Sequence, residues 1–541
     1  MDDKIDMMKY RLGSASAWDQ IEVQEMLNAR QGFLPIQQLT DISDSQFVFL
    51  CGRRGAGKSA IAIKLAEDKR WTYREAVEGE RSHYGEYLEV VEKLSNEKDK
   101  GAQINIEKAV RLLWEWVLPV KSMQTVVKQA EAQGEPEDKE LSEMKKYLHG
   151  LPSGLHIESR MGDMLTVMFQ TALNSPNGLE SNLLNLTGEP GFISAIEAFA
   201  RKTKFKKVLV VIDTLESYKV LAPFMIDGFR GILQAVITLL TDPRMWGVSF
   251  KLFVPAEVYE QAISKAPGKL GDRTVFMRWR AADLISVLSG RFLNVLRKND
   301  SVPPQLINKL DQAVSKAYQN HDGRHLKNEF WYDNSFLPRK IHNAIGKDED
   351  CFAFLLRHTF RKPRDLVIHQ MQEIVDNAVR LRTFPIITES DVINGVHDSF
   401  ILMKILGDAM SAFDTAVPGD VVSNARQIFY GNPSIMNGRQ LKRFSNQLYT
   451  LHRFDVEPER FVQLLLRCGV VGLPLDLKSD LYTKAKFEYM MPDNLPDVRD
   501  ETTYCVHPVM ADLFKMQAPE SGKSVYPLSE QDQWLEESAN I

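Results

Sequence analysis

A glycine-rich loop that carries one lysine and one serine is the part of this chain best suited to chemistry. The segment FVFLCGRRGAGKSAIAIKL contains the pattern GxxxxGK[ST], in which the fixed residues are Gly52, Gly57, Lys58 and Ser59. Glycines let backbone N–H groups point at phosphate oxygens, the lysine places a charge on the β- and γ-phosphates, and the serine hydroxyl binds Mg²⁺. The predicted nucleotide-binding residues are Gly52, Arg53, Arg54, Gly55, Ala56, Gly57, Lys58, Ser59 and Ala60.

A carboxylate at the end of an apolar run is the second candidate ligand for Mg²⁺. Residues 208–212 are all apolar, and Asp213 follows them directly. An aspartate at the end of a buried strand beside a phosphate loop holds the Mg²⁺ shell in P-loop NTPases. Ser59 and Asp213 are therefore the predicted metal ligands. Glu216 either orients the attacking water or is an acid in the first turn of a helix, where the helix dipole favours it.

These side chains need a strand before the loop and a helix after it. Residues 47–50 are predicted to form that strand, and residues 60–65 carry a helical pattern. Further apolar runs begin near residues 208, 249 and 274 and alternate with helical segments, which predicts a parallel α/β sheet. The roughly 150 residues before Asp213 exceed one crossover connection and predict an insertion. Within it, Ile106, Val110, Leu113, Trp114 and Val117 form a helical stripe typical of core packing.

The second half of the chain has a different pattern. Beyond about residue 295 strand signals disappear, and helical periodicity continues through Val396. Two helices are predicted to meet at Lys362 and Pro363, because the residue before a proline is pushed out of helical geometry. Arg364 then lies at the start of the second helix. It either faces a nucleotide or forms a salt bridge with Asp365 or another acid, and its position alone favours the salt bridge.

Five short motifs, taken in order, resemble the bacterial P-loop ATPases related to the STAND and AAA-like initiator groups. The motifs are GRRGAGKSA, VLVVIDTLE, FKLFVPAEVY, MRWRAADLISVLSGRF and LLRHTFRKPRDLV, and the resemblance covers about residues 40–515. In that family the nucleotide domain is followed by a helical lid and a winged helix. The resemblance implies an ATPase that cleaves the β–γ phosphoanhydride with Mg²⁺, and it implies that Arg364 is a sensor in the lid. The catalytic residues implied are Lys58, Asp213, Glu216 and Arg364.

The sequence departs from that family at two positions. The strand that carries a polar γ-phosphate sensor in many AAA ATPases ends here in Pro255, Ala256 and Glu257. Thr214 stands directly after Asp213, where an acid would support rapid hydrolysis. We therefore expect slow hydrolysis. A spacing of three residues from Asp213 to Glu216 is closer to the STAND pattern.

The predicted fold class is α/β. A P-loop NTPase parallel sheet with a long helical insertion is followed by an all-helical lid and a winged-helix-like carboxyl-terminal domain. The predicted limits are 1–45 for a helical lead-in, 46–295 for the NTPase domain with its insertion at about 75–160, 296–400 for the lid, 401–520 for the winged-helix-like domain and 521–541 for a tail. The lid is expected to include a last helix capped by Thr388.

Composition narrows the range of partners and locations. The chain has 541 residues, 44% of them hydrophobic, and a formal net charge of −5. Its amino terminus lacks a cationic segment followed by an apolar one, and apolar runs such as GILQAVITLL are about half the length of a membrane span, so we expect a cytoplasmic protein with no membrane partner. The four cysteines are far apart without CxxC spacing, and we expect neither a cysteine metal site nor a disulfide framework.

Charge also bears on the predicted winged helix. Between Asp455 and Lys515 there are seven Lys/Arg and eleven Asp/Glu, a balance of 7 − 11 = −4. A domain that reads DNA needs cationic contacts to phosphate, so we favour a protein-facing role.

Two functions fit the sequence. The first is a switch gated by ATP and Mg²⁺ that controls self-association or an unidentified protein partner, which the resemblance connects with signalling and phage defence in bacteria. The second is a DNA-directed ATPase, a motor or loader that uses the winged helix on duplex DNA. An arginine supplied in trans would be Arg230, Arg244 or Arg273, and spacing does not choose among them.

Overall fold

The structure is a computed structural model, and it divides into two compact units. It describes residues 7–14, 41–44, 46–77, 84–98, 105–152, 155–174, 178–213, 223–256, 258–259, 271–344, 346–410, 428–452, 457–476, 482–487, 497–518, 524–527 and 534–537. The parallel-sheet unit comprises Gln38–Gly52 and Lys58–Phe276. The helical unit comprises Met1–Gln37, Arg53–Gly57 and Met277–Ile541. The tip of the glycine-rich loop is thus grouped with the carboxyl-terminal part of the chain.

A five-stranded parallel sheet forms the centre of the parallel-sheet unit. Its strands are β1 (Phe49–Gly52), β2 (Tyr73–Val77), β3 (Val208–Asp213), β4 (Val248–Pro255) and β5 (Thr274–Phe276). They lie in the order β2-β3-β4-β1-β5, and every neighbouring pair is parallel. Strands β1, β3 and β4 are buried over their whole length, as expected for parallel strands covered by helices on both faces. The predicted parallel α/β sheet is therefore confirmed.

Eight α-helices of the parallel-sheet unit lie completely within the described residues. They are α1 (Lys58–Ala66), α2 (Tyr84–Lys98), α3 (Ile106–Ala132), α4 (Lys139–His149), α5 (Met161–Leu173), α6 (Leu179–Gly188), α7 (Pro190–Thr203) and α8 (Pro223–Thr241). All five stripe residues named from the sequence are buried in α3. Helix α3 packs against α8, where a Cβ at Gly231 would come within 2.6 Å of the Glu107 carbonyl oxygen. The absence of a side chain at Gly231 therefore permits the close approach of the two helices.

Helix α8 is also long and apolar enough to cross a membrane. The window Phe224–Thr241 meets that test by length and composition, and half of it is buried inside the structure. Core helices of soluble proteins pass the same test. The window was missed in the sequence because Asp227 and Arg230 interrupt its apolar runs.

The helices of the helical unit follow the sequence pattern closely. They include α9 (Ala281–Arg297), α10 (Pro304–Asn320), α11 (Cys351–Arg357), α12 (Arg364–Met371, with π-type turns), α13 (Gln372–Arg380), α14 (Glu389–Val396), α15 (Ser399–Met410), α16 (Gly438–His452), α17 (Pro458–Arg467), α18 (Pro508–Leu513) and α19 (Trp534–Glu537). A short π-type helix at Lys327–Tyr332 and a 3-10 helix at Met7–Tyr10 also belong to this unit. The predicted break at Lys362 and Pro363 separates α11 from α12. Thr388 caps α14 as predicted, because its side chain accepts a hydrogen bond from the Asp391 N–H.

The prediction of an all-helical lid is wrong in one respect. Residues of that region form an antiparallel hairpin from β6 (Lys340–His342) and β7 (Asp348–Asp350). Each strand has three residues, too few to show the alternation of apolar and polar residues by which a strand is recognised in sequence.

A second five-stranded sheet lies in the carboxyl-terminal region. Its order is β12-β10-β9-β11-β8, formed by β8 (Ile435–Asn437), β9 (Val471–Asp476), β10 (Tyr482–Lys486), β11 (Thr503–Val506) and β12 (Ser524–Tyr526). Strands β10 and β12 pair in parallel, and the other pairs are antiparallel. A hydrophobic cluster that includes Ile405, Phe429, Leu466 and Val509 packs helices α15, α17 and α18 together. A winged helix and the domain limits given above stay predictions.

Candidate nucleotide site

The glycine-rich loop has the backbone geometry of an anion cradle. It joins the end of β1 at Gly52 to the start of α1 at Lys58. Gly55 and Gly57 have φ angles of +78° and +93°, which side-chain-bearing residues rarely adopt. Turns of this kind direct successive N–H groups into one concavity, and the amino terminus of α1 adds the positive end of its dipole. The loop therefore fits a phosphate group.

Lys58 is held at the base of the loop. Its side chain is buried, and Nζ donates a hydrogen bond to the Gly52 carbonyl oxygen at 2.7 Å. Ser59 follows it in the first turn of α1 and is half-buried. The lysine charge thus lies within the strand, loop and helix that the motif requires.

Asp213 lies at the same edge of the sheet as Gly52. It is the last residue of β3, it is buried, and it pairs in register with Phe253 of β4. Gly52 pairs with Pro255 of the same strand on its other side. Because one strand separates β3 from β1, their backbones are about 10 Å apart at this edge. A hydroxyl from Ser59 and a carboxylate from Asp213 supply the oxygen ligands that Mg²⁺ prefers.

Four other positions named from the sequence give less structural information. Glu216 and Glu257 lie outside the described residues. Pro255 ends β4, and Ala256 follows it, as expected from the sequence. The roles assigned to the loop, to Asp213 and to Glu216 stay predictions.

Arg53, at the loop tip, is bonded to the carboxyl-terminal region. It is 6% exposed, and its Nη2 donates to the Arg467 carbonyl oxygen at 2.7 Å. Arg467 is the last residue of α17, where the carbonyl groups have no partner within the helix and carry the negative end of its dipole. The phosphate loop and the end of α17 are therefore linked by a charge-assisted hydrogen bond within the helical unit.

Arg54 and Arg364 share one carboxylate. Asp408 of α15 lies 3.5 Å from Arg54 (Oδ1 to Nε) and 3.2 Å from Arg364 (Oδ2 to Nη1). His369 Nε2 is 3.6 Å from the same Oδ2. Burial alone would raise the pKa of Asp408, but the His369 imidazole and the charges of Arg364 and Arg54 outweigh it and hold the pKa well below its usual range. Asp408 is therefore an ionised carboxylate beside the phosphate loop.

Arg364 also packs directly against the loop backbone. A Cβ at Gly55 would lie 3.2 Å from the Arg364 Cβ. The position of Arg364 in the sequence favours a salt bridge, and the structure provides one, with Asp408 as the acid. Asp365 is instead fully buried and accepts a hydrogen bond from the Phe360 N–H at 3.0 Å. Asp408 was missed because nothing in its local sequence connects it with the loop.

Trp279 holds the remaining part of the loop tip. Its Nε1 donates to the Ala56 carbonyl oxygen at 2.9 Å, and its own carbonyl oxygen accepts from Arg361 Nη2 at 2.9 Å. Arg361 precedes α12, the helix that Arg364 begins. Trp279 thus connects the loop tip with Arg361, which lies in the region predicted as the lid.

The three arginines considered as fingers have local interactions. Arg230 pairs with Asp227 at 3.1 Å, and Arg244 pairs with Asp242 at 2.7 Å. The Arg273 carbonyl oxygen accepts from the Val48 N–H at 2.8 Å. These contacts do not select one arginine for a role in trans.

Comparison with known proteins gives distant structural similarities alone. No family model matches the chain, and no curated protein matches it. Among solved structures, the ORC2 protein of Aeropyrum pernix in its ADPNP–ADP complexes is similar at 10% identity with a TM-score of 0.33, over 91% of this chain and 92% of that one. The ADP form of that protein has a TM-score of 0.29 at 10% identity, over 91% and 93% of the two chains.

Proposed function

We propose that this protein binds ATP with Mg²⁺, hydrolyses it slowly, and acts as a nucleotide-gated switch that controls its own assembly or a protein partner. The proposal rests above all on the loop Gly52–Ala60. It combines two positive-φ glycines, a buried lysine and a helix amino terminus at the carboxyl end of a parallel sheet. Each of these features stabilises a bound phosphate.

Individual residues have separate tasks in this proposal. Loop N–H groups and Lys58 bind the phosphate oxygens, and Ser59 and Asp213 hold the metal ion. Mg²⁺, when bound, neutralises charge on the β- and γ-phosphates. Glu216 is the proposed orienting residue for water, and Arg364 is the proposed residue that detects the γ-phosphate.

The contacts of the loop tip support a switch. Arg53 is bonded to the end of α17, and Arg54 shares Asp408 with Arg364. A triphosphate would compete with Asp408 for both arginines, because its oxygens are anionic acceptors of the same kind. Binding would therefore change the loop contacts made by α12, α15 and α17. A ligand shifts a conformational equilibrium through such differences in interaction between two states.

The test is a measurement of mass by light scattering together with phosphate release. Wild type and Lys58→Ala are compared with and without ATP and Mg²⁺. Lys64→Ala is the matched control, because Lys64 lies in the same helix, is 42% exposed and pairs with Glu67. We expect wild type and Lys64→Ala to bind ATP and to change mass or partner binding, and Lys58→Ala to do neither.

Two results would contradict the proposal in different ways. Equal ATP binding by wild type and Lys58→Ala would show that the glycine-rich loop is not the nucleotide-binding site. Rapid phosphate release without any change in mass or partner binding would contradict the switch function and support the ATPase activity. Steeply salt-dependent binding of duplex DNA in that second case would identify a DNA-directed enzyme.

A further inference from the structure

We propose that His358, His397 and Asp512 form a binding site for a divalent transition-metal cation, with zinc as the natural probe. These residues come from three separate segments of the helical unit. His358 follows the last residue of α11, His397 follows α14, and Asp512 lies in α18. One ligand atom from each lies within 4.8 Å of the other two. Two imidazoles and one carboxylate are a common donor set for such cations.

The distances converge on one carboxylate oxygen. Asp512 Oδ2 is 2.8 Å from His358 Nε2 and 3.2 Å from His397 Nδ1. Two ligands that each lie about 2 Å from a tetrahedral cation are about 3.3 Å apart, so the distance to His397 fits directly and the distance to His358 would open by about 0.5 Å on binding. His358 is fully buried, whereas the side chains of Asp512 and His397 are 29% and 36% exposed. A cation therefore has a route from solvent to a preformed inner ligand.

The hydrogen bonding of His358 gives an independent reason. Its Nδ1 lies 2.7 Å from the Phe354 carbonyl oxygen, which can only accept, so Nδ1 carries the proton. In a neutral ring Nε2 is then an unprotonated acceptor, and it faces the carboxylate of Asp512. Nε2 and Oδ2 both lack a hydrogen-bond partner in spite of their short separation. Two buried acceptors in contact need a cation or a proton between them.

A metal ion meets this need. The neighbouring cation, Arg357, is paired with Glu349 at 2.8 Å, so its charge is compensated close to the site. A ligating histidine usually donates its second ring N–H to a carbonyl or carboxylate, as His358 does to Phe354.

The second histidine–aspartate cluster of the helical unit is a useful contrast. Asp365, His369 and Asp408 also lie within reach of one cation. There, however, Arg54 and Arg364 already supply positive charge to Asp408. A metal ion would be repelled by both arginines. We therefore assign metal binding to the His358 cluster alone.

The experiment is a titration of the full-length chain with Zn²⁺ by calorimetry after treatment with a chelator. Excess Mg²⁺ and the absence of nucleotide keep the phosphate loop from contributing. Co²⁺ is added in parallel, because imidazole and carboxylate ligation produces visible absorption bands. We expect one equivalent to bind wild type, and His397→Ala and Asp512→Asn each to weaken binding by at least about tenfold. Zinc should also raise the unfolding temperature of wild type, since it binds the folded state.

Two control variants locate the site. His342→Ala removes an exposed histidine that pairs with Asp348, and Asp408→Asn alters the second cluster. Both should bind zinc as wild type does. Circular dichroism checks that His397→Ala and Asp512→Asn are folded, and His397 is chosen because it is partly exposed. The proposal is overturned by wild-type protein that binds no zinc, by full binding in His397→Ala and Asp512→Asn, or by loss of binding in either control. Lys58→Ala should keep the zinc site, so this result is independent of the nucleotide proposal.

Discussion

Arg54 of the phosphate loop and Asp408 of helix α15 form an ion pair, with Nε 3.5 Å from Oδ1. The same carboxylate binds Arg364, and the Arg364 side chain packs on Gly55 of the loop. One acidic residue far along the chain thus neutralises two cations beside the proposed phosphate site. Its negative charge therefore repels a bound nucleotide.

Asp408→Asn should bind ATP more tightly than wild type. The substitution removes one negative charge from the side of the phosphate loop and leaves Arg54 and Arg364 more available to phosphate oxygens. We expect an increase in affinity of about threefold to tenfold, the range of one partly exposed charge interaction. Binding of a fluorescent ATP analogue measures it, and the difference should shrink as salt concentration rises.

The matched control for this change is Asp333→Asn. Asp333 also pairs with an arginine of the helical unit, Arg339 at 2.7 Å, and it is 49% exposed. Its substitution should leave ATP affinity unchanged. If Asp408→Asn remains folded but binds ATP more weakly, Asp408 positions the two arginines for the nucleotide. Competition between its carboxylate and the phosphate groups for Arg54 and Arg364 is then wrong.

Arg53→Ala should allow ATP to bind but should abolish the change in mass or partner binding that ATP causes. The buried guanidinium bonds the loop to the carboxyl end of α17. Its loss leaves the Arg467 carbonyl oxygen without this donor, and we expect about 1–3 kcal/mol lower stability. ATP affinity should change less than threefold, whereas the ATP-dependent change in mass or partner binding should be lost. Arg70→Ala, which removes an exposed arginine paired with Asp68, should alter neither property.

Hydrogen exchange distinguishes coupling from simple damage in Arg53→Ala. In wild type, ATP should change protection of the amides in α17. In the variant, each of those amides should exchange at the same rate with ATP as without it. An intact ATP response in α17 of the variant would show that Arg53 does not carry the coupling.

Gly55→Ala should prevent nucleotide binding through two separate effects. A φ of +78° costs a residue with a side chain about 1–2 kcal/mol. The new Cβ would also lie 3.2 Å from the Arg364 Cβ, so the arginine or the loop must move. Gly134→Ala provides the comparison, because Gly134 has a φ of +67° and no atom within 4 Å of its added Cβ. Denaturation and ATP titration of both variants separate backbone strain from displacement of Arg364.

The two glycine variants should differ in function more than in stability. Both should lose about 1–2 kcal/mol of unfolding free energy from backbone strain, with a further loss in Gly55→Ala from its contact with Arg364. Gly55→Ala alone should lose ATP affinity, by at least about tenfold. Normal ATP binding in Gly55→Ala would show that the contact with Arg364 is dispensable. Loss of binding in Gly134→Ala would mean that strain anywhere in the parallel-sheet unit abolishes the site.

Local sequence was sufficient for the elements that hold the phosphate loop. The apolar run that ends in Asp213 is long and buried, and the loop pattern carries its own start and end signals, so β3 and α1 were predicted closely. The same holds for α3, whose apolar stripe repeats over many turns. Strong periodicity within one segment is what sequence reveals best.

Relationships between distant segments were not predictable in the same way. The three-residue strands β6, β7, β8 and β12 are too short to show a period, and their pairing depends on partners elsewhere in the chain. The pairing of Arg54 with Asp408 and the meeting of His358 with Asp512 depend on tertiary packing. A single histidine or aspartate in a helix carries no signal for the residue that it will contact.

Lys251 should make the stability of the parallel-sheet unit depend on pH. It lies in the centre of β4, is fully buried, and donates to the carbonyl oxygens of Asp44 and Phe47 at 2.5 Å each. Burial lowers its pKa to about 7, although the Asp44 charge opposes this. A neutral amine has two N–H groups, which match the two carbonyl acceptors.

The direction of the effect follows from where the proton binds. An unfolded lysine has a pKa of about 10.4, so between pH 7 and pH 10 the unfolded chain binds a proton that the folded chain does not. The free energy of unfolding therefore rises with pH in this window, by up to about 1.4 kcal/mol per pH unit.

Lys251→Met removes the titrating group. Urea denaturation at pH 7, 8 and 9 should show wild type gaining about 1–2 kcal/mol relative to Lys251→Met, whereas Lys64→Met, an exposed control, should follow wild type. Parallel curves for wild type and Lys251→Met would mean that Lys251 remains charged in the sheet, held by its two carbonyl acceptors and by Asp44.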